Sequence, residues 1–144
     1  MSRDFTGSRI APMCVALVLA DTIWSDPQTQ KRTILGTFSS IFATKLPAVI
    51  TDLAVHCILT GGHGLTEITL RFIDADEDEE PIVHATTMVD FSDPRAVAEM
   101  DFYFRDVTFP VAGEYRVQIY GAGDFIMERR LSVINVSAGG QSNA

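Results

Sequence analysis

Cysteine is nearly absent from this 144-residue chain: Cys14 and Cys57 are its only two. Two cysteines cannot build a disulfide framework, and neither has the closely spaced partner that a zinc site needs. Both lie in apolar runs. The simplest reading is a pair of buried free thiols in a reducing, cytoplasmic compartment, with a single inter-strand bridge as the alternative. Basic residues are also scarce, eleven Lys and Arg against nineteen Asp and Glu, for a formal net charge of −8. With no Lys/Arg cluster to offset that charge, a phosphate backbone is repelled and nucleic acid is excluded as a partner. The same charge disfavours an anionic membrane surface, and no apolar run reaches the ~18 residues of a membrane span.

The signatures of catalysis are missing too. No GxSxG elbow is present, and Gly61-Gly62-His63-Gly64 lacks the Lys and following helix of a phosphate loop. Cys57 follows His56 directly, but adjacent strand residues point to opposite faces, so the two cannot share a proton. No carboxylate pair stands out for acid–base work. The expectation is a non-enzyme with no catalytic residue and no cofactor.

What is present is a core. A chain of this length buries roughly 68% of its unfolded surface, enough for one domain without staples. Arg3 and Arg9 precede an apolar stretch from Ile10 to Ala20, as in a secretory signal. Asp4 dilutes the charge, however, Pro12 interrupts the stretch, and Asp21-Thr22-Ile23-Trp24 continues it as a strand does. Residues 1–12 are therefore expected to form a flexible arm, 13–136 one β domain and 137–144 a disordered tail.

Period-2 alternation recurs along the domain. Leu53, Val55, Cys57 and Leu59 alternate with Ala54, His56, Ile58 and Thr60; Ile68, Leu70 and Phe72 alternate with Thr69, Arg71 and Ile73. Met100, Phe102 and Phe104 point one way while Asp101, Tyr103 and Arg105 point the other, and a parity change near Asp106 predicts a bulge. Tyr115, Val117 and Ile119 alternate with Arg116, Gln118 and Tyr120. Gly36 marks a bulge or close approach. Residues 39–45 fit either a strand continuation or a helical turn, and Arg95–Glu99 suggests one helical turn. In Phe109-Pro110-Val111-Ala112-Gly113-Glu114-Tyr115, a strand end, a Gly and an inward Tyr resemble the corner at which immunoglobulin-like sandwiches cross between sheets. The fold class expected is an all-β, immunoglobulin-like antiparallel sandwich of about 7–9 strands with at most one short helical turn.

Asp74, Asp76 and Asp78 alternate in an acidic run and are weak candidates for calcium. The EF-hand pattern fails, with Glu79 where Gly is needed and Ala85 where Glu is needed, so a solvated hairpin tip is the simpler reading. His56 and His84 share no ligand spacing; on a common sheet face they would make a metal pair, the basis of an alternative reading as a metal-binding protein or enzyme with nearby carboxylates. His63 reads as a loop residue, and Trp24 as a cap on the end of the core. Tyr103, Arg105, Arg116, Gln118 and Tyr120 would form one outward binding face if their strands pair, suited to protein, peptide or sugar.

In combination, Leu19-Ala20-Asp21, Ile34-Leu35-Gly36-Thr37-Phe38, Ile41-Phe42-Ala43 leading to Leu46-Pro47-Ala48, and Gly113-Glu114-Tyr115 before Ile119-Tyr120 resemble an uncharacterised family of small bacterial β-sandwich proteins. The likeness runs from about Val15 to Val133. It departs at Asp76-Glu77-Asp78, where that family often has an Asp-Gly turn. The resemblance implies the sandwich fold and a first strand over Met13–Ile23, and implies no activity. The function expected is a non-catalytic binding or assembly module acting through a sheet face or an edge strand, with protein as partner and homo-oligomerisation possible through open edges.

Overall fold

The alternating segments become nine strands: β1 (Met13–Ser25), β2 (Arg32–Thr37), β3 (Ser40–Ala43), β4 (Ala48–Thr60), β5 (Gly64–Asp74), β6 (Val83–Phe91), β7 (Val97–Phe109), β8 (Gly113–Gly121) and β9 (Asp124–Asn135). They are seen in a computed structural model that describes residues 9–76 and 80–136. Of the expected arm and tail, residues 1–8 and 137–144 lie outside the described residues, and Pro12 is buried. No helix long and apolar enough to cross a membrane occurs among the described residues.

The strands form two sheets, ordered β2-β1-β4-β7 and β3-β9-β8-β5-β6. With β4 beside β7 in one sheet and β5, β8 and β9 side by side in the other, the connectivity follows the B–E and C–F–G pairings of immunoglobulin domains. β6 then takes the place of the added strand of variable-type domains, and a β1–β2 hairpin flanks β4. The fold is an all-β, immunoglobulin-like sandwich.

Three local expectations are corrected. The sandwich is not wholly antiparallel, because β3 runs parallel to β9 from Ser40↔Ser132 to Ala43↔Asn135; this places the ambiguous 39–45 segment as a short edge strand. The helical turn at Arg95–Glu99 is absent. The Ala96 N–H closes a turn onto the Asp93 carbonyl, and β-branched Val97 already pairs with Thr60. The parity change at Asp106 is real but involves no extra residue: Asp52↔Arg105 and Ile50↔Val107 stay in register around it. Asp106 adopts φ 55°, and both strands change their buried face at this point, from Leu53 to Ile50 and from Phe104 to Val107. At Gly36 the close approach is found, with φ 73° and the Asp21 carboxylate lying where a Cβ would project.

Between the sheets an aromatic row forms the centre of the core. Phe72 meets Phe104 and Phe109 edge-on at centroid distances of 5.7 and 6.4 Å, and Phe109 meets Tyr115 at 5.0 Å. Tyr115 is fully buried, and its hydroxyl donates to the Val111 carbonyl at 2.6 Å while accepting from the Val111 N–H at 3.2 Å. This is the tyrosine corner expected at the β7–β8 crossing. Arg129, on the core-facing side of β9, ties the sheets together along one flank: its guanidinium donates to the Leu17 carbonyl of β1 at 2.9 Å and to Ser39 Oγ at 2.6 Å.

Tyr115→Phe keeps the ring packing and removes both hydroxyl bonds. It is expected to lower unfolding free energy in urea by about 1–2 kcal/mol; an unchanged midpoint would show that the corner contributes through packing alone.

Candidate functional site

The outer face of the four-stranded sheet carries the most buried polar cluster. His56 is only 4% exposed, although it points away from the core, because the cross-strand register sets it between Val18 and Asp101. Its Nδ1 lies 2.7 Å from Asp101 Oδ1; a carboxylate only accepts, so Nδ1 carries the proton. The other Asp101 oxygen accepts from Arg32 Nε at 2.8 Å, and Arg32 also reaches the Glu99 carboxylate and backbone carbonyl. The hydrogen bond to Asp101 raises the Arg32 pKa further. His56 Nε2 faces Glu99 Oε1 at 3.5 Å. Both ring nitrogens thus look onto carboxylates, and among the described residues no Ser or Cys is hydrogen-bonded to either. The geometry suits a clamp across the sheet, from Arg32 on one edge strand to Asp101 on the other.

The outer face of the five-stranded sheet holds a second network, closed on itself. Arg71 donates to Gln118 Oε1 at 2.8 Å and to the Tyr120 hydroxyl at 3.1 Å, and its guanidinium sits 5.1 Å from the Tyr120 ring centroid. Gln118 donates to Glu128 at 3.0 Å; Arg116 donates to Glu128 at 2.8 Å and to Glu114 at 3.2 Å, which raises the Arg116 pKa. Apart from Arg116–Glu114, which lies within β8, these are cross-strand pairs that stabilise the exposed sheet.

The proposed binding face is therefore divided. β7 and β8 are consecutive but belong to different sheets, so Tyr103 and Arg105 lie on one outer surface and Arg116, Gln118 and Tyr120 on the opposite one. Tyr103 is 60% exposed, its hydroxyl reaching the Ile23 carbonyl at 3.4 Å. Burial and the nearby Asp101 raise its pKa. With Arg105, which pairs with Asp52 at 3.1 Å, it lines a cleft of about 610 Å³ also bordered by Asp21 and Thr22. This cleft opens where β1 parts from β4 beyond Ala20↔Ala54.

The histidine pair fails for the same topological reason. His56 is in β4 of one sheet and His84 in β6 of the other, so they do not share a face. Of the acidic candidates, Asp74 accepts the Asp76 N–H at 2.9 Å in a local turn, and Asp78 lies outside the described residues. No group of three or more His, Cys, Asp or Glu side chains suited to a metal occurs among the described residues. His63 is exposed in its Gly-rich turn. Trp24 does not cap the core but is 56% exposed at the end of β1. Both thiols are free, and burial raises both, Cys57 to about 12.

The sheet edges differ sharply. β2 has six residues and is distorted at Gly36; β3 has four. β7 is long but carries Glu99, Asp101, Arg105 and Asp106, the last with positive φ. β6 pairs with β5 without interruption from Gly64↔Phe91 to Phe72↔Val83, and among the described residues no strand pairs with its other side. Its sequence, Val83-His84-Ala85-Thr86-Thr87-Met88-Val89-Asp90-Phe91, has no Lys, Pro or bulge, the usual guards of an edge.

Two outcomes follow. Asp101→Ala removes the closer of the two acceptors that His56 and Arg32 share and is expected to cost about 1–3 kcal/mol in chemical denaturation; no loss would mean that the clamp does not hold the sheet. Cys57, buried and kept as a thiol, should resist alkylation in the native protein at mildly alkaline pH and react on unfolding. Rapid native labelling would contradict that placement.

No curated protein matches the chain. An immunoglobulin-like protein from Pseudomonas aeruginosa is 17% identical with a TM-score of 0.41, over 88% of this chain and 99% of that one. A β-glucosidase from Listeria innocua in complex with glucose is 13% identical, with a TM-score of 0.46, over 83% of this chain but only 16% of the enzyme. An alkylpurine DNA glycosylase from Pseudomonas fluorescens, bound to DNA containing an abasic site analogue, is 5% identical with a TM-score of 0.42, over 82% of this chain and 30% of the enzyme. The Family of unknown function DUF6941 matches residues 15–134, from β1 into β9, and the chain belongs to that family.

Proposed function

We propose that this chain is a non-catalytic assembly module that joins to further protein by strand addition at the open edge of β6. The observation that carries this reading is the state of that edge: nine residues, evenly paired on one side and unguarded on the other. An added strand gains main-chain hydrogen bonds along the edge, and pockets for alternate side chains give it specificity. The core-facing row of β6 also supports the reading. Val83, Ala85 and Val89 are only half-buried and Thr87 is exposed, so a strand laid alongside would cover apolar surface that the sandwich leaves uncovered. Both sheet faces, by contrast, spend their polar groups on internal partners.

Sedimentation velocity up to millimolar concentration tests this directly. The native chain should sediment above monomer mass in a concentration-dependent way. Thr87→Lys places a charge on the core-facing side of the edge, a common natural guard, at an exposed position that tolerates it. It should return the protein to monomer without loss of fold. A native chain that stays monomeric throughout, or association indifferent to Thr87→Lys, would overturn the reading.

A further inference from the structure

We infer that the strand received by β6 is the β6 of a second copy, antiparallel and centred on Thr87, so that two five-stranded sheets become one ten-stranded sheet about a two-fold axis. This rests on the edge reading above and adds the partner and the register.

The register follows from the chain's own pattern. A one-residue slip turns every side chain to the other face, so only registers pairing like-facing residues keep both cores on the same side of a joined sheet. Among these, the one centred on Thr87 sets Val83 opposite Phe91, His84 opposite Asp90, Ala85 opposite Val89, Thr86 opposite Met88 and Thr87 opposite itself. Its core-facing row is apolar except for the central Thr87, and that row continues from sheet to sheet. On the outer face the two strongest polar groups of β6, the His84 imidazole near one end and the Asp90 carboxylate near the other, come together twice as N–H donor and acceptor, once on each side of the axis. Arg71 lies beside His84 on β5, so each partner Asp90 approaches a row bearing two basic side chains, while its own neighbour on β5 is the uncharged Leu65. A centre at Thr86 would set His84 against Met88, and one at Met88 would set Asp90 against Thr86; neither brings the imidazole and the carboxylate together. Isologous contacts of this kind close on themselves and limit growth to a dimer.

Cysteine placement reads the register. Thr87→Cys should form an intermolecular disulfide under mild oxidation, because residue 87 faces its own copy at the cross-strand distance that a disulfide spans. Thr86→Cys and Met88→Cys, each alone, should cross-link poorly, whereas an equimolar mixture of the two should yield the mixed disulfide. The unsubstituted chain should give none, since Cys57 is buried and the half-buried Cys14 lies on β1 in the other sheet, away from β6. A charge exchange supplies an independent readout: His84→Asp should weaken association roughly tenfold by setting carboxylates against each other, and adding Asp90→His should restore it. If the native chain associates and Thr87→Lys abolishes it, but Thr87→Cys fails to cross-link and the exchange fails to rescue, the register and two-fold are wrong while the edge reading stands. If the native chain does not associate at all, both fall.

Discussion

Two open sheets present four rows of backbone N–H and C=O groups to their surroundings, and how each row is closed governs the rest of this structure. A buried or templating row left unpaired is costly or hazardous, which is why edges carry the most constrained sequences in a sheet protein. Here one row is shortened to the four residues of β3, one is broken by Gly36, and one is guarded by the charges of β7 and the left-handed Asp106. The same requirement explains Arg129. Between β1 and β9 the layers part, and a guanidinium donates to the Leu17 carbonyl at the flank of β1. Among the described residues only β6 is neither short, broken nor heavily charged, with Asp90 near one end as its one acidic side chain.

The fold was legible because its signals are local. Alternation from Leu53 to Thr60 and from Tyr115 to Tyr120 needs no knowledge of partners, and the corner at Val111–Tyr115 is contained in a few residues, with hydroxyl and backbone only four positions apart. What stayed hidden is non-local. Alternation tells which way Tyr103 and Tyr120 point but not that β7 and β8 lie in different sheets; a Greek-key crossing puts neighbours in sequence on opposite surfaces. The parallel pairing of β3 with β9 joins segments far apart in the chain and leaves no mark on either. Alternation turns His56 outward, opposite Leu53, Val55 and Cys57, but nothing near it marks its partners, which lie 43 to 45 positions away in Glu99 and Asp101, with their ally Arg32 preceding it. The one available hint was an uncommon acid, Asp101, facing out between Met100 and Phe102.

These placements reorder the functional candidates. Side chains that looked available for ligands are largely engaged with each other: Arg71, Arg116, Gln118 and Tyr120 in one network, Arg32, His56, Glu99 and Asp101 in the other. Arg71 pairs with Gln118 on β8 and stands in register with His84 on the edge strand β6, so the network on this face reaches the strand beside it.

Amide hydrogen exchange resolved along Val83–Phe91, in dilute and concentrated protein, reaches the central claim most directly, because it reads the backbone groups themselves. In the dilute chain, amides turned toward β5 should be protected and those turned outward should exchange quickly. With rising concentration the outward set should become protected together, while the outward amides of β7 stay unchanged. Outward β6 amides that exchange equally fast at every concentration would contradict strand addition at this edge.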